Sequence, residues 1–474
     1  MSNSTSKGKS SFIIGITLVA TLGGLLFGYD TAVISGTVSS LKAVFISPLG
    51  LPETLANSRL GFLVSSALVG CIIGGLSGGL VSLYLGRKRG LMLAALLFLF
   101  SAIGSSMPEI FISPIGSADH TFIYHFVVYR IVGGIGVGLA SMLSPLYIAE
   151  VSPPEIRGRL VSWNQFAIIF GMLVVYFVNY FIARQGDDSW IDQTGWRFMF
   201  ASEAIPALLF FIFLLFVPET PRYLVIKKQS QKAFSILKKI NGFEKAGIIL
   251  EEIKESLSHK SGKIFSFGVF LIILGLLLAM FQQFVGINVV LYYAPEIFKT
   301  LGSGTDSALL QTIIVGAINL TFTVIAIMSV DKFGRKPLQI IGAVGMAVSM
   351  ISLGMVFYFN TAGLAALIFM LSYVACFALS WGPVTWVLLS EIFPNKIRGR
   401  AMAVAVAAMW ISNYIISSTF PILNDSTYLT ERFNHGFAYW IYGIMGILAA
   451  LFVWKFVPET KGKSLEELEK LWKK

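Results

Sequence analysis

The chain has 474 residues, of which 55% are hydrophobic and 13% charged, and its formal net charge is +11. Soluble domains carry roughly 25% charged residues, so a chain this apolar needs lipid as the solvent for its helix exteriors. The positive charges lie in short segments between apolar runs, which argues against a nucleic-acid interface, and the few Cys and His residues form neither a disulfide framework nor a metal motif.

Twelve apolar runs are each long enough to cross a bilayer, for which about 20 residues are needed. In chain order the predicted spans are 12–37, 60–83, 90–108, 122–147, 161–183, 197–217, 265–292, 308–330, 337–358, 363–389, 400–421 and 437–457. The first run is too long for a signal-peptide core, so we expect it to be retained. The sequence therefore predicts an all-α membrane protein of twelve transmembrane helices.

The distribution of Lys and Arg predicts the orientation of these helices. If both termini are cytoplasmic, the segments on that side hold 29 of the 36 basic residues and the opposite loops hold 6. Positively charged loops stay in the cytoplasm. We therefore expect a multi-pass protein of the cell membrane with both termini cytoplasmic.

Three motifs occur twice in the same order, which indicates an internal repeat. The pairs are Gly86-Arg87-Lys88 with Gly334-Arg335-Lys336, Glu150…Arg157 with Glu391…Arg398, and Pro218-Glu219-Thr220 with Pro458-Glu459-Thr460. Two repeats of six helices are the parallel-repeat plan of a transporter. We predict six-helix halves at 1–217 and 265–457, a cytoplasmic linker at 218–264 and a cytoplasmic helix at 458–474.

The linker is rich in Lys and Glu and has apolar residues at helical spacing, at Phe234, Leu237 and Ile240. This pattern predicts short amphipathic helices at the cytoplasmic face. Ser464 and Glu467 have the spacing of a capping box, which would open the C-terminal helix.

Together the paired motifs, PETPR (218–222), QQFVGINVVLYY (282–293) and SWGPVTWVLLSEIFP (380–394) resemble the sugar porter family of the major facilitator superfamily. Within that family the chain is most similar to bacterial D-xylose:proton symporters. The resemblance implies the major facilitator fold and proton-coupled import of a monosaccharide by alternating access, with D-xylose first and D-glucose second. It implies no cofactor beyond the proton, no metal, no nucleic acid, and function as a monomer in the lipid bilayer.

Polar residues concentrate in the predicted seventh span, at Gln282, Gln283 and Asn288. Amides both donate and accept hydrogen bonds, which suits sugar hydroxyls. Gln282 and Asn288 would not share a face of an ideal helix, but a break at Gly286 would bring them together, as in other transporters. The alternative is that these amides only join helices to one another.

The resemblance implies further sugar-site residues elsewhere in the chain. They are Gln165, Tyr292, Asn319, Gly382, Trp386, Met409, Trp410 and Phe27, with Asn413 as further cavity wall. Gly382-Pro383 is a natural helix break, and a Trp can cover the apolar face of a pyranose. Met409 and Met172 stand where the symporters carry glutamine, a departure that bears on xylose preference rather than on the sugar class.

Asp30 in the first span and Arg130 in the fourth are charges within apolar runs, where an unpaired charge is costly. They form either a structural ion pair or a proton switch. In the symporters that the chain resembles, this pair couples transport to protons, and Glu203 matches a position linked to it.

The resemblance also implies a charge network at the cytoplasmic face that holds the inner ends together in the outward-open state. Its residues are Arg87, Glu150, Arg157, Glu219, Asp331, Arg335, Glu391, Arg398 and Glu459. Leu83 replaces the polar residue expected before the first GRK motif, which predicts a weaker latch in the first half.

Other functions are less compatible with these features. A passive sugar facilitator would not need Asp30, and a transporter-like sugar sensor would need a longer cytoplasmic tail. A membrane enzyme would need a nucleophile–base or metal motif, and no phosphate-binding loop is visible for an ATP-driven pump.

Overall fold

The computed structural model describes residues 10–153, 156–258, 264–361, 363–394, 396–462 and Glu467. Every regular element in these residues is helical. Among the helices of the described ranges, twelve are long and apolar enough to cross a membrane, which confirms the predicted class. They are Ser11–Gly36, Glu53–Tyr84, Arg87–Ser106, His120–Val151, Arg157–Ala183, Asp188–Phe216, Val269–Thr300, Thr305–Val330, Arg335–Tyr358, Leu364–Ile392, Arg398–Asn424 and Gly436–Phe456.

We number these helices as spans 1 to 12. Because successive spans alternate in direction, the segments that follow spans 2, 6 and 8 lie at the same end, where Arg87 opens span 3 and Arg335 opens span 9. We call this end the linker face and the opposite end the far face.

Several spans extend beyond the apolar runs that predicted them. Span 2 begins at Glu53 rather than residue 60, and span 7 ends at Thr300 rather than 292. Helical hydrogen bonding continues through polar residues that hydropathy excludes, because a helix can project out of the bilayer and have its side chains solvated.

The first six spans pack on one another, as do the last six, and the two sets meet where span 2 contacts span 11 and span 5 contacts span 8. The contact between spans 2 and 11 is close enough to require glycine. A Cβ atom at Gly61 would lie 1.9 Å from the carbonyl oxygen of Ser418. Small residues allow such close approach between membrane helices.

Spans 7 and 10 are each interrupted near mid-length. Span 7 changes direction at Gly286, whose φ of 91° favours glycine, as the sequence predicted. Span 10 breaks at Ser380, not at Gly382-Pro383. The Pro383 ring would clash with the carbonyl group of Leu379 in a continuous helix, so the first segment ends there and Pro383 falls in the first turn of the next.

The described part of the linker contains three helices, Pro221–Ile226, Ser230–Asn241 and Phe243–Ser258. Leu237 and Ile240 are buried, and Leu237 packs in a small core with Leu224 and Leu250. The predicted amphipathic helices are thus present. After span 12, residues 457–462 are not helical, and the helix predicted to open at Ser464 falls outside the described residues.

Candidate functional site

The break in span 7 brings three amide side chains into a hydrogen-bonded chain. Asn288 Nδ2 donates to Gln283 Oε1 at 2.6 Å, and Gln283 Nε2 lies 3.5 Å from Gln282 Oε1. Because Gly286 separates Asn288 from the two glutamines, the side chains converge although their spacing in an unbroken helix would not allow it. The sequence-based expectation about this break is confirmed.

At one end of this series of amides, Gln282 is hydrogen-bonded to the backbone of another span. Gln282 Nε2 donates to the carbonyl oxygens of Trp381 (2.9 Å) and Gly382 (3.2 Å), just after the break in span 10. Gln282 and Gln283 are buried, whereas Asn288 is half-buried. Gln282 therefore joins two broken helices, as the alternative interpretation predicted, while Asn288 keeps an acceptor oxygen and one N–H group for a ligand.

A second polar cluster lies one turn beyond Asn288. Asn413 Nδ2 donates to the hydroxyl oxygen of Tyr292 at 3.4 Å, and Ser417 Oγ donates to Asn413 Oδ1 at 3.0 Å. All three side chains are buried. Ser417 was absent from the predicted site, and its four-residue spacing from Asn413 on span 11 is the signal that could have identified it.

Trp410 and Phe27 form an aromatic contact between the two sets of spans. Their ring centroids are 5.6 Å apart. Trp410 is 2% exposed, and its Nε1 has no hydrogen-bond partner in the described part of the chain. A buried indole N–H without an acceptor is costly unless a ligand supplies one. Met409 beside it is also buried.

The remaining predicted ligands do not join the hydrogen bonds of this region. Gln165 and Trp386 are half-buried on spans 5 and 10, and Asn319 is buried on span 8. Among the described residues, none of the three bonds to the amide chain. Their polar groups are thus available to another partner.

Asp30 and Arg130 form a fully buried ion pair. Arg130 Nη1 lies 2.7 Å from Asp30 Oδ1, and Nη2 donates to the Asp30 carbonyl oxygen at 3.2 Å. Their side chains are 0% and 1% exposed, and the guanidinium also lies 5.4 Å from the ring centroid of Phe200. The other carboxyl oxygen of Asp30 has no described hydrogen-bond partner.

Glu203 lies beside this pair. Its carboxyl group is within hydrogen-bonding reach of Asp30 if one of the two is protonated, and it feels the charge of Arg130. The residue is 0% exposed, and neither oxygen has a described donor. One guanidinium therefore lies among two buried carboxyl groups, and it can balance the charge of only one of them.

The charged motifs of the linker face form the same contacts in both repeats. Arg87 pairs with Glu150 at 2.7 Å, and Arg335 pairs with Glu391 at 3.0 Å. Each of these pairs stays within one set of six spans.

Arg157 and Arg398 do not form these close ion pairs with the glutamates of their own motifs. Arg157 donates to the carbonyl oxygen of Ser152, and Arg398 to that of Phe393. The reason is that each arginine opens a new helix, so it lies near the last carbonyl groups of the preceding turn. The side chain of Asp331 lies outside the described residues.

Glu219 and Glu459 occupy equivalent positions but differ in acidity. Burial raises the pKa of Glu219 above its ordinary value, although N–H groups of Thr220, Lys88 and Arg87 partly oppose this. Burial also raises the pKa of Glu459, but hydrogen bonds from four backbone N–H groups outweigh this effect, so the pKa lies below its ordinary value. The donors to Glu459 are those of Lys461, Arg335, Lys336 and Thr460.

Polar contacts at the far face join the two sets of spans, and the sequence did not indicate them. Ser39 Oγ donates to Glu296 at 2.7 Å and accepts from Lys299 at 2.7 Å, while Thr305 donates to Asp188 at 2.9 Å. The two sets of spans are thus hydrogen-bonded to each other across the far face.

The sequence profile of the family described as "Sugar (and other) transporter" matches residues 16–472. The chain is 63% identical to the D-xylose-proton symporter of Escherichia coli K12, over 98% of this chain and 96% of that one. The chain belongs to the sugar transporter family. It is also 41% identical to the glucose facilitated diffusion protein of Zymomonas mobilis, over 99% of each chain.

A solved structure of the same family has the same fold. The inward-open conformation of the xylose transporter XylE from E. coli superimposes with a TM-score of 0.89, at 60% identity, covering 97% of this chain and 100% of that one. The major facilitator fold is therefore confirmed for this sugar transporter.

Proposed function

We propose that this protein imports a monosaccharide together with a proton across the cytoplasmic membrane, with D-xylose as the preferred sugar and D-glucose second. The buried Asp30–Arg130 pair is the observation that carries the proposal, because a charge placed inside the membrane needs a function or a partner that justifies its cost. The 63% identity to a D-xylose-proton symporter supports both the sugar and the coupling ion.

The sugar binds between the halves, among the amides of span 7 and the aromatic side chains of spans 1, 10 and 11. Asn288 and Gln283 exchange hydrogen bonds with sugar hydroxyls, and the unpartnered Nε1 of Trp410 donates another. Gln165, Asn319 and Trp386 contribute further polar contacts. Met409 stands where the symporters carry a glutamine, so this wall has one amide fewer, which shifts the relative affinity for different sugars.

The proton is carried by the buried carboxyl groups of Asp30 and Glu203. When Arg130 contacts Asp30, it favours the ionised carboxylate, and when it moves away the buried carboxyl favours the protonated form. A motion that changes this contact therefore loads and releases a proton. Because Phe27 is three residues from Asp30 on span 1 and contacts Trp410, span 1 connects the proton site to the sugar site.

Alternating access occurs by motion of residues 1–217 relative to 265–457, with the linker at 218–264 and both termini in the cytoplasm. The far face then faces outward, and the hydrogen bonds through Ser39 that join the halves there support an inward-facing state. On conversion to the outward-facing state, the charged residues of the linker face form contacts between the halves. Each monomer contains a complete site and functions alone.

A passive facilitator is the second candidate, because the chain is also similar to a glucose facilitated diffusion protein. Transport of labelled pentoses and hexoses into proteoliposomes distinguishes the two. We expect accumulation of xylose above the external concentration under an inward proton gradient, and its loss on addition of an uncoupler. Equilibration alone, insensitive to the uncoupler, would favour the facilitator.

A further inference from the structure

A lateral crevice lies outside the sugar and proton sites, near the linker face. It has a volume of about 830 Å³ and is lined by spans 1, 5, 6 and 8, including Leu22, Phe170 and Phe213. Leu18 (52% exposed) and Met328 (79% exposed) form part of its wall. These exposures show that the crevice is open to the outside of the protein rather than enclosed within it.

The chemistry of the crevice changes along its length. Its wall along the spans is almost wholly aliphatic and aromatic, with Thr21 as an exception, and Thr21 satisfies its own hydroxyl by donating to the carbonyl oxygen of Leu18. At the linker end the wall includes Arg159 and Ser162, in the first two turns of span 5. A long apolar groove with one cation at its mouth matches an amphiphile with an anionic head.

We propose that the crevice binds one anionic phospholipid, with an acyl chain along Leu22 and Phe170 and the headgroup phosphate on Arg159. Arginine binds phosphate oxygens through a bidentate fork. A volume of several hundred Å³ is in the range of specific small-molecule sites. The basic residues concentrate at this end of the protein, as expected next to an anionic leaflet.

The crevice includes residues from both halves, which gives the lipid a role beyond solvation. Val324, Ile327 and Met328 of span 8 face residues of spans 1 and 5 across it. Its shape therefore depends on how the halves are arranged. A ligand shifts a conformational equilibrium by its difference in affinity for the two states, so the lipid stabilises the arrangement with the far face joined.

The internal repeat supplies a matched control for the headgroup contact. Arg159 is the last residue of Arg157-Gly158-Arg159, and Arg400 has the same place in Arg398-Gly399-Arg400. Arg400 is not part of the crevice wall. Changing either arginine to glutamine removes one charge from the same face of the membrane.

Native mass spectrometry of the purified protein, equilibrated with phosphatidylglycerol or phosphatidylcholine, tests the site. We expect Arg159→Gln to lower retained phosphatidylglycerol by about fivefold, the factor for losing one basic contact with an anionic lipid. Arg400→Gln should retain it as the unchanged protein does. Equal loss in both variants, or equal retention of both lipids by the unchanged protein, would overturn the proposal.

A second pair of variants tests the acyl-chain groove. Met328→Trp should fill the crevice and reduce lipid retention, whereas Ile325→Trp, on the same lipid-exposed helix but outside the crevice wall, should not. Both side chains are exposed, so neither change disturbs a packed core. Unchanged retention in Met328→Trp would place the lipid elsewhere.

The effect on conformation rests on the alternating access proposed above and needs its own measurement. Ser35 is buried under the far-face contacts, so a cysteine placed there reports opening of that face to a membrane-impermeant thiol reagent. Phosphatidylglycerol should slow labelling of Ser35→Cys, but not of Ser35→Cys combined with Arg159→Gln. Lipid retention without any change in labelling would refute the conformational role alone, and failure of sugar transport would leave the lipid site untouched.

Discussion

The two halves carry the same motifs at the linker face but enclose different interiors. The first half buries charge, with Asp30, Arg130 and Glu203 in mutual reach. The second half buries neutral amides, with Gln282, Gln283 and Asn288 in one chain. The repeat has therefore kept the residues that shape its loops, while its two interiors differ, since one contains charged groups and the other neutral amides.

A smaller contrast between the halves has a clear cause in sequence. The motif after span 6 reads PETP, whereas the motif after span 12 reads PETK. Pro221 has no N–H group to offer, but Lys461 donates its N–H to Glu459 at 2.8 Å. One missing donor and deeper burial are enough to leave Glu219 with a raised pKa and Glu459 with a lowered one.

The strongest test of the division between halves is Asp30→Asn. We expect it to abolish uphill accumulation while leaving sugar binding intact, because the carboxyl that carries the proton is gone and the amide site is unchanged. One proton crossing 100 mV contributes about 2.3 kcal/mol, which supports roughly a 50-fold sugar gradient. Accumulation in vesicles under an imposed gradient, and counterflow without one, measure the two properties.

The exposed Asp306 at the start of span 8 provides the control for this change. Asp306→Asn should accumulate sugar normally. If Asp30→Asn still concentrates sugar, the buried pair is structural and the division between halves fails.

The corresponding test of the second half is the loss of its amides. Asn288→Ala removes a sugar contact, and Gln282→Ala removes the anchor that positions the other amides. Each should weaken sugar binding by about 5- to 150-fold, the range for losing a buried polar contact worth about 1–3 kcal/mol. Calorimetric titration with xylose measures this. Gln339→Ala is the control, since Gln339 is a buried amide that donates to Thr385 at 3.0 Å and was not predicted to bind sugar. Normal binding by both site variants would show that the amide chain only joins helices.

A gain of affinity is expected at Met409. Met409→Gln restores an amide next to Trp410 and should strengthen xylose binding by about 2- to 10-fold, corresponding to one net hydrogen bond. The equally conservative Met172→Gln on span 5 allows the two walls of the cavity to be compared. Weaker binding of xylose by Met409→Gln would mean that the thioether is part of a well-fitted apolar contact.

The smallest effect concerns the two PET glutamates. A carboxyl whose pKa is lowered on folding stabilises the protein above its unfolded pKa, and this contribution disappears as pH falls through the folded pKa. Glu459→Gln should therefore lower the melting temperature at pH 7, by a few degrees at most, and have less effect near pH 4. The contribution of Glu219 to stability depends on pH in the opposite direction, because its raised pKa favours the folded state only while the carboxyl is protonated.

Glu219→Gln should accordingly leave the melting temperature at pH 7 unchanged or raise it. Melting curves of both variants between pH 4 and 8 provide the measurement. Parallel curves for the two variants would show that the single difference between Pro221 and Lys461 is without consequence.

The helices and their order could be predicted because hydropathy depends on composition alone, and the repeat because its motifs are local. The start of span 2 could not be predicted, because it depends on solvated polar turns. The position of the break in span 10 could not be predicted either, because it depends on a clash between Pro383 and the carbonyl group of Leu379. The convergence of Gln282 and Asn288 was predictable from Gly286. The arginine partners of Glu150 and Glu391 were not predictable, because sequence spacing does not show which arginine of another span lies next to a glutamate.

The far-face contacts were also missed, although Glu296 and Lys299 have the three-residue spacing of a helical ion pair. The sequence contains no signal for Ser39, which accepts from Lys299 and donates to Glu296 from another half of the molecule. Such contacts depend on the arrangement of the halves and belong to one conformation, whereas sequence patterns describe features common to all of them.

The anchoring of Gln282 fixes the direction of the whole amide chain. Two main-chain carbonyl groups can only accept, so they must face the Gln282 nitrogen, which leaves its oxygen toward Gln283 and in turn the Gln283 oxygen toward Asn288. No amide in the series can rotate by half a turn without setting two acceptors against each other. Gln282→Glu, which has nearly the same shape, would place carboxylate oxygen against both carbonyl groups and reverse the polarity at a single position, so it is more disruptive than removing the side chain.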